Sequence, residues 1–300
     1  MLKEYIAEMF EPTLLFGVFA GMAGLSAASY YKNYSTLLGI IAIAGAVIAQ
    51  MAVNLIDDYS DYKTGLDRET SKTKFSGGST LVVGKKISAS VMLWIAAAAL
   101  IIAGAIGVYL LSNSHAIILP MLVLIAIGGI AALFYARYLT HVPLFAEPFV
   151  AACFAFIGIG VFIVSSGRTT NALYAALVCI PCGIQVGVAT LTNAIPDRKP
   201  DKKYGRRSWA VMLNDNKRSG ILYITFEGIG YVLLIFGMYA RILPYTFSIM
   251  LIFIPIFQYI AMNIMKYRNA KSYEKVMGVN AAVTMSYMLM ISIAFILAFV

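Results

Sequence analysis

The sequence predicts an all-α, polytopic membrane protein: a bundle of about nine transmembrane helices whose cytoplasmic cap loops carry two Asp-rich motifs. Three observations predict it. Of the 300 residues 61% are hydrophobic and only 12% charged, with a mean hydropathy of +0.82, beyond what a soluble core requires. Nine apolar stretches are long enough to span, given the ~20 residues needed to cross a bilayer. Of the 23 Lys and Arg, 20 fall in the N-terminal tail and the even-numbered loops, against three, Lys32, Arg168 and Arg241, in the odd-numbered ones.

The first span, 12–31, follows a short amphipathic lead-in that reads as retained rather than as a cleaved signal; it contains "GMAGLSAAS". The second, 36–56, runs into acidic sequence. The third, 90–111, carries "AAAALIIAGAIG", and small-residue runs of this kind permit close helix approach or leave room for a lipid tail. The spans 116–136, 145–166, 171–195, 220–240, 244–265 and 278–299 follow. Cys153, Cys179 and Cys182 fall inside spans and His115 and His141 stand alone near span ends, so the thiols read as buried apolar groups rather than as zinc or redox chemistry. Span centres are almost free of charge, which disfavours a transporter. By the positive-inside rule the N-terminus is cytoplasmic and the C-terminus faces out, in a cell membrane. The whole chain, 1–300, reads as one domain. The net charge of +9 belongs to loops facing lipid head groups or an anionic substrate, not to nucleic-acid binding.

Two loops are long, about 57–89 and 196–219, and both lie on the basic side. Long loops in a compact domain are usually functional. Asn54, Asp58 and Asp61 follow one another at intervals of four and three, with Asp57 between them; Asn193, Asp197 and Asp201 follow at intervals of four. Such spacings put an amide and two carboxylates on one helix face. Asp57 and Asp197, like Asp61 and Asp201, are 140 residues apart, as in two half-bundles that each bring an acidic helix end to a common centre. Carboxylates this near hydrocarbon are costly unless paired, neutralised or metal-bound.

Oxygen donors without His or thiolate select hard cations, and a few Asp suit Mg²⁺, which bridges to substrate phosphates. Asp58, Asp61, Asp197 and Asp201 are the candidate metal ligands. Interleaved Lys63, Arg68, Lys72 and Lys74, and Arg198, Lys202, Lys203, Arg206 and Arg207, can grip a diphosphate or simply mark the inside face. "FSGGS", 75–79, can bring backbone N–H groups against an anion or form a plain turn. A diphosphate head at an acidic mouth and an apolar tail among the spans describe a polyprenyl diphosphate. Loss of diphosphate would leave an allylic cation, which Tyr59, Tyr62 and Tyr204 can steady, unless they are packing or interface residues.

At "DDYSDYKTGLD" and "NAIPDRKPDKKYGRRSWAV" the sequence resembles the UbiA superfamily of intramembrane aromatic prenyltransferases. Its first loop is most similar to the menaquinone branch, which prenylates 1,4-dihydroxy-2-naphthoate. Asp57 stands where that branch often has Asn, Pro196 where Arg is common, and "YARYLTHVPLFAE" matches only loosely. The resemblance implies that Asn54, Asp58, Asp61, Asp197 and Asp201 bind Mg²⁺–diphosphate with support from Asn193. It also implies that Lys74, Arg206 and Arg207 contact the leaving group, and that Asp67 orders the first cap loop or joins the metal shell. The expected partners are a polyprenyl diphosphate donor, an aromatic acceptor and the bilayer. Geranylgeranylglyceryl phosphate, 4-hydroxybenzoate, a porphyrin or a chlorin remain alternative acceptors. The compact motif of CDP-alcohol phosphotransferases is absent.

Overall fold

The computed structural model describes residues 5, 6, 9–32, 34–70, 73, 78, 80–84, 86–113 and 117–299. Among them regular structure is entirely helical. Nine long elements succeed one another: α1 Leu14–Tyr30, α2 Thr36–Thr64, α3 Ala89–Ser112, α4 Ile118–Phe134, α5 Ala146–Ser166, α6 Ala172–Ala194, α7 Asn216–Tyr239, α8 Ile254–Met265 and α9 Ala270–Leu297. A 3-10 stretch, Tyr245–Phe253, leads into α8. Seven spans are long and apolar enough to cross a membrane, counting Tyr245–Met265 as one, while α1 and α4 are apolar helices of 17 residues. At ~1.5 Å per residue those two fall slightly short of a ~30 Å hydrocarbon layer.

Two sets of loops gather at opposite ends. At one end Ser35 N–H donates to Ser165 O, Tyr31 Oη donates to Ile242 O, and Arg168 reaches the carbonyls of Tyr31 and Lys32. At the other, Arg207 N–H donates to Thr140 O, Asn216 Nδ2 to Tyr267 O and Lys203 to Glu69. The loops rich in Lys and Arg therefore share one end, as an up-and-down bundle requires.

Small residues mark the closest helix contacts, while large apolar side chains both fill the core, as Phe162, Phe257 and Tyr287 do, and cover the outside. A Cβ on Gly24 would stand 1.9 Å from Gly158 O, and one on Gly183 2.1 Å from Ala151 O. Glycine thus sets the separations of α1 from α5 and α5 from α6. In the α3 run, by contrast, Gly104 meets nothing within 4 Å. Leu133, Val108 and Trp94 are exposed, as a lipid-facing wall would be. One acid does lie deep in a span: Glu227 of α7 is buried and accepts from Gln185 Nε2 of α6, beside a Tyr223 Oη to Asn280 Oδ1 bond. The buried carboxyl thus has a hydrogen-bond donor within the bundle.

Two boundaries differ from the apolar runs. α2 continues eight residues beyond 56, to Thr64, where Gly65 ends it in the left-handed conformation at φ 88°; α9 starts at Ala270 rather than 278. Both extensions are polar helix, which a hydropathy window cannot see. The first motif consequently lies on a helix, not in a loop.

Candidate active site

The acids of the first motif occupy the C-terminal part of α2, the end of a helix dipole that disfavours negative charge. A cation is needed there, and Arg206 supplies it. Its Nη2 lies 2.5 and 2.6 Å from the two oxygens of Asp61 and 3.2 Å from Asp57 Oδ1. Asp57 and Asp61 are four residues apart, so one helix face presents both to the guanidinium.

The chain that delivers Arg206 is held by its backbone. After α6 it turns at Pro196, forms a short helix over Arg198–Lys203, and passes Gly205 in the left-handed region at φ 83°. Arg206 N–H donates to Asp201 O, Arg207 N–H to Thr140 O, and Leu144 N–H to Arg207 O. The next residue but one, Trp209, donates its backbone N–H to Glu147 Oε1 at 2.7 Å and its indole N–H to Leu144 O. The 140–147 segment is therefore the bed on which the second motif lies.

Asp201 is buried; burial raises its carboxyl to about 6, with the charge of Arg206 opposing and that of Asp57 adding to the shift. Burial works against the charge of Arg206, but Asp57, Asp61 and Asp201 outweigh it and hold the guanidinium well above its ordinary range. A cavity of about 200 Å³ opens beside the cluster, lined by Asp61, Thr64, Arg137, His141, Tyr204 and Arg206 among others. Tyr135, just past α4, stacks on Phe149 at 17° between ring planes. Burial and then the charge of Asp57 push its hydroxyl far up, so it stays protonated.

The structure sorts the expected site residues. Asp61 and Arg206 come together, and Asp201 and Asp67 are both near enough to act on Asp61 electrostatically. Asp67 is buried against Gly78, whose Cβ position would fall within 1.7 Å of Asp67 Oδ1. Gly78, at φ 70°, thus brings backbone against an anion, but the anion is the protein's own carboxylate. Lys74 and the remaining residues of the "FSGGS" segment lie outside the described residues, as does His115. Asn54 donates to Thr13 Oγ1. Asp58 is half-buried on α2 and Asn193 half-buried at the end of α6. Asp197 is buried on another side of the cap, where its charge is felt at Tyr267. Arg207 is exposed and contributes backbone.

Tyr59 and Tyr62 carry the protein's own cations, with Lys63 and Arg68 each 5.7 Å from a ring centre. Tyr204 donates to Glu69 Oε1, which also holds Lys203, tying the two cap loops together. The cysteines are free thiols, two buried and one half-buried. Sequence reasoning passed over Asp57, Tyr135, His141 and Glu147 as site residues. For Asp57 the i, i+4 spacing to Asp61 was a usable signal; the other three lie in the segment whose motif is weakest.

Oxygen donors from two motifs suit a hard cation such as Mg²⁺ in chemistry. Among the described residues, however, no three carboxylate, imidazole or thiolate groups are gathered tightly enough to hold a metal. Arg206 bridges the carboxylates of the first motif instead.

The UbiA prenyltransferase family model matches residues 14–297. The chain belongs to the UbiA family. It is 30% identical over 214 residues to the 1,4-dihydroxy-2-naphthoate octaprenyltransferase of Bacillus subtilis (strain 168), a match covering 68% of this chain and 64% of that relative. A UbiA homologue from Aeropyrum pernix K1 superposes with a TM-score of 0.71 at 16% identity, over 95% of this chain and 97% of its own. One from Archaeoglobus fulgidus bound to DMAPP and Mg²⁺ gives 0.56 at 14% identity, over 95% and 98%. UbiA membership and the apolar helices make the protein a multi-pass membrane protein with the UbiA fold.

Proposed function

We propose that this UbiA protein, as one domain, transfers a polyprenyl group from its diphosphate to an aromatic acceptor, 1,4-dihydroxy-2-naphthoate, with Mg²⁺. The observation that carries the reading is the reach of Arg206, in the second motif, to the carboxylates of Asp61 and Asp57 in the first, 145 and 149 residues away along the chain. A prenyl diphosphate would lay its tail among the spans and its head at this cluster. Asp61 and Asp201, one from each motif, would hold the ion with diphosphate oxygens completing its shell, with Asp57, Asp58 and Asp197 at the borders of the site, and the bound ion would neutralise the departing diphosphate.

The C–O bond to diphosphate breaks, and the allylic carbon bonds to a ring carbon of the acceptor, which loses its carboxyl as CO₂. Arg206 is placed to receive charge as diphosphate departs. Tyr135, whose ring stacks on Phe149, would add aromatic surface and a protonated hydroxyl near the reacting groups. The Lys- and Arg-rich end that carries the site would face the cytoplasm of a cell membrane. Purified protein incubated with labelled prenyl diphosphate, Mg²⁺ and 1,4-dihydroxy-2-naphthoate should yield a prenylated 1,4-dihydroxynaphthalene, lost on adding EDTA. Product only with 4-hydroxybenzoate, a glyceryl phosphate, a porphyrin or a chlorin would overturn the acceptor and keep the donor; no product with any acceptor would overturn the function.

A further inference from the structure

Arg206 is bound more firmly than a residue waiting for a substrate needs to be. One guanidinium nitrogen serves both oxygens of Asp61 and one of Asp57, and the carboxylate of Asp201 adds its charge. Side-chain exposure is 19% for Arg206 and 13% for Asp61, so water screens the group only in part. The backbone on either side is pinned to Asp201 O and Thr140 O, which leaves the side chain as the part able to move.

We propose that Arg206 is the resident counter-ion of the first acidic motif, and that a divalent cation and a diphosphate load together by exchanging with it. The inference rests on the donor-site reading above. A dication taking the oxygens of Asp61 would stand against a guanidinium, and like charges at that range repel. If the guanidinium leaves with nothing to receive it, a partly buried cation is stranded, a costly state. A diphosphate removes the conflict, since its oxygens accept an Arg fork bidentately while also binding the metal. The carboxylates therefore go to the metal and the guanidinium to the diphosphate in one exchange. The metal alone binds weakly, and each ligand tightens the other by the same factor.

The test is direct metal binding to the full-length protein in detergent, read from the free Mn²⁺ signal in electron paramagnetic resonance, with inorganic diphosphate as the probe anion. Wild type should bind Mn²⁺ weakly alone and at least about tenfold more tightly with diphosphate. Arg206→Gln should bind Mn²⁺ alone about tenfold more tightly than wild type, with the gain from diphosphate reduced. Arg206→Lys, which keeps a point charge without the fork, should fall between them, and it decides the matter if the Gln variant does not fold. Unchanged or weaker Mn²⁺ affinity without diphosphate in these variants overturns the exchange while leaving the donor site intact. Failure of Mn²⁺ to bind wild type even with diphosphate overturns both.

Discussion

Glu147 holds the second motif in place, and removing its carboxylate should disturb a residue it never touches. Its side chain is fully buried and Oε1 accepts the backbone N–H of Trp209, itself 5% exposed, three residues past Arg206. Glu147→Ala leaves that N–H without an acceptor and out of reach of water. Leaving a buried donor unsatisfied costs about 1–3 kcal/mol. If the segment carrying Arg206 relaxes by that amount, and the loss is felt in the transition state, kcat falls about 5- to 150-fold. If the segment holds its position, the same cost appears as a lower Tm. Glu147→Gln retains an oxygen acceptor and should stay within a few-fold of wild type. Turnover kinetics and thermal melts of both variants are the assay. Glu147→Ala with wild-type kcat and unchanged Tm would refute the reasoning.

Three further outcomes follow from the same geometry. Because burial pushes the Asp201 carboxyl up to about 6, a proton competes with the metal in mildly acidic solution; the apparent KM for Mg²⁺ should rise as pH falls from about 6 to about 5, by up to about tenfold, and a flat profile would contradict the assignment. Gly24→Val should force α1 from α5, since its Cβ would meet Gly158 O, costing roughly 1–3 kcal/mol; Gly104→Val, with nothing within 4 Å, should leave the melt unchanged. Gly78→Ala should unseat Asp67 and the first cap loop, read as faster proteolytic cleavage between α2 and α3 with the rest of the bundle protected.

The bundle was legible because lipid imposes a crude and strong rule: long apolar runs become helices, and Lys and Arg collect at one end. The acid motifs were legible because carboxylates beside hydrocarbon demand a reason. Which acid on α2 meets the second motif was not, because Asp57 and Asp58 differ by ~100° about the helix axis, and packing sets that rotation. The polar extension of α2 to Thr64 was hidden by the same acids, which end a hydropathy run without ending a helix. Glu147 and Tyr135 were invisible because their roles depend on backbone pairing between residues 140–144 and Arg207, a long-range contact with no local signature. The 75–79 segment read as backbone against an anion or as a plain turn, and Gly78 stands against the protein's own Asp67.

The central claim is that carboxylates from both motifs act at one Mg²⁺–diphosphate site. Prenyl transfer should be measured in wild type, Asp61→Asn and Asp201→Asn, with thermal melts alongside. The account predicts turnover reduced at least about 100-fold in each variant, as for loss of a group stabilising the leaving charge, with the fold retained. Either variant turning over within a few-fold of wild type would contradict it.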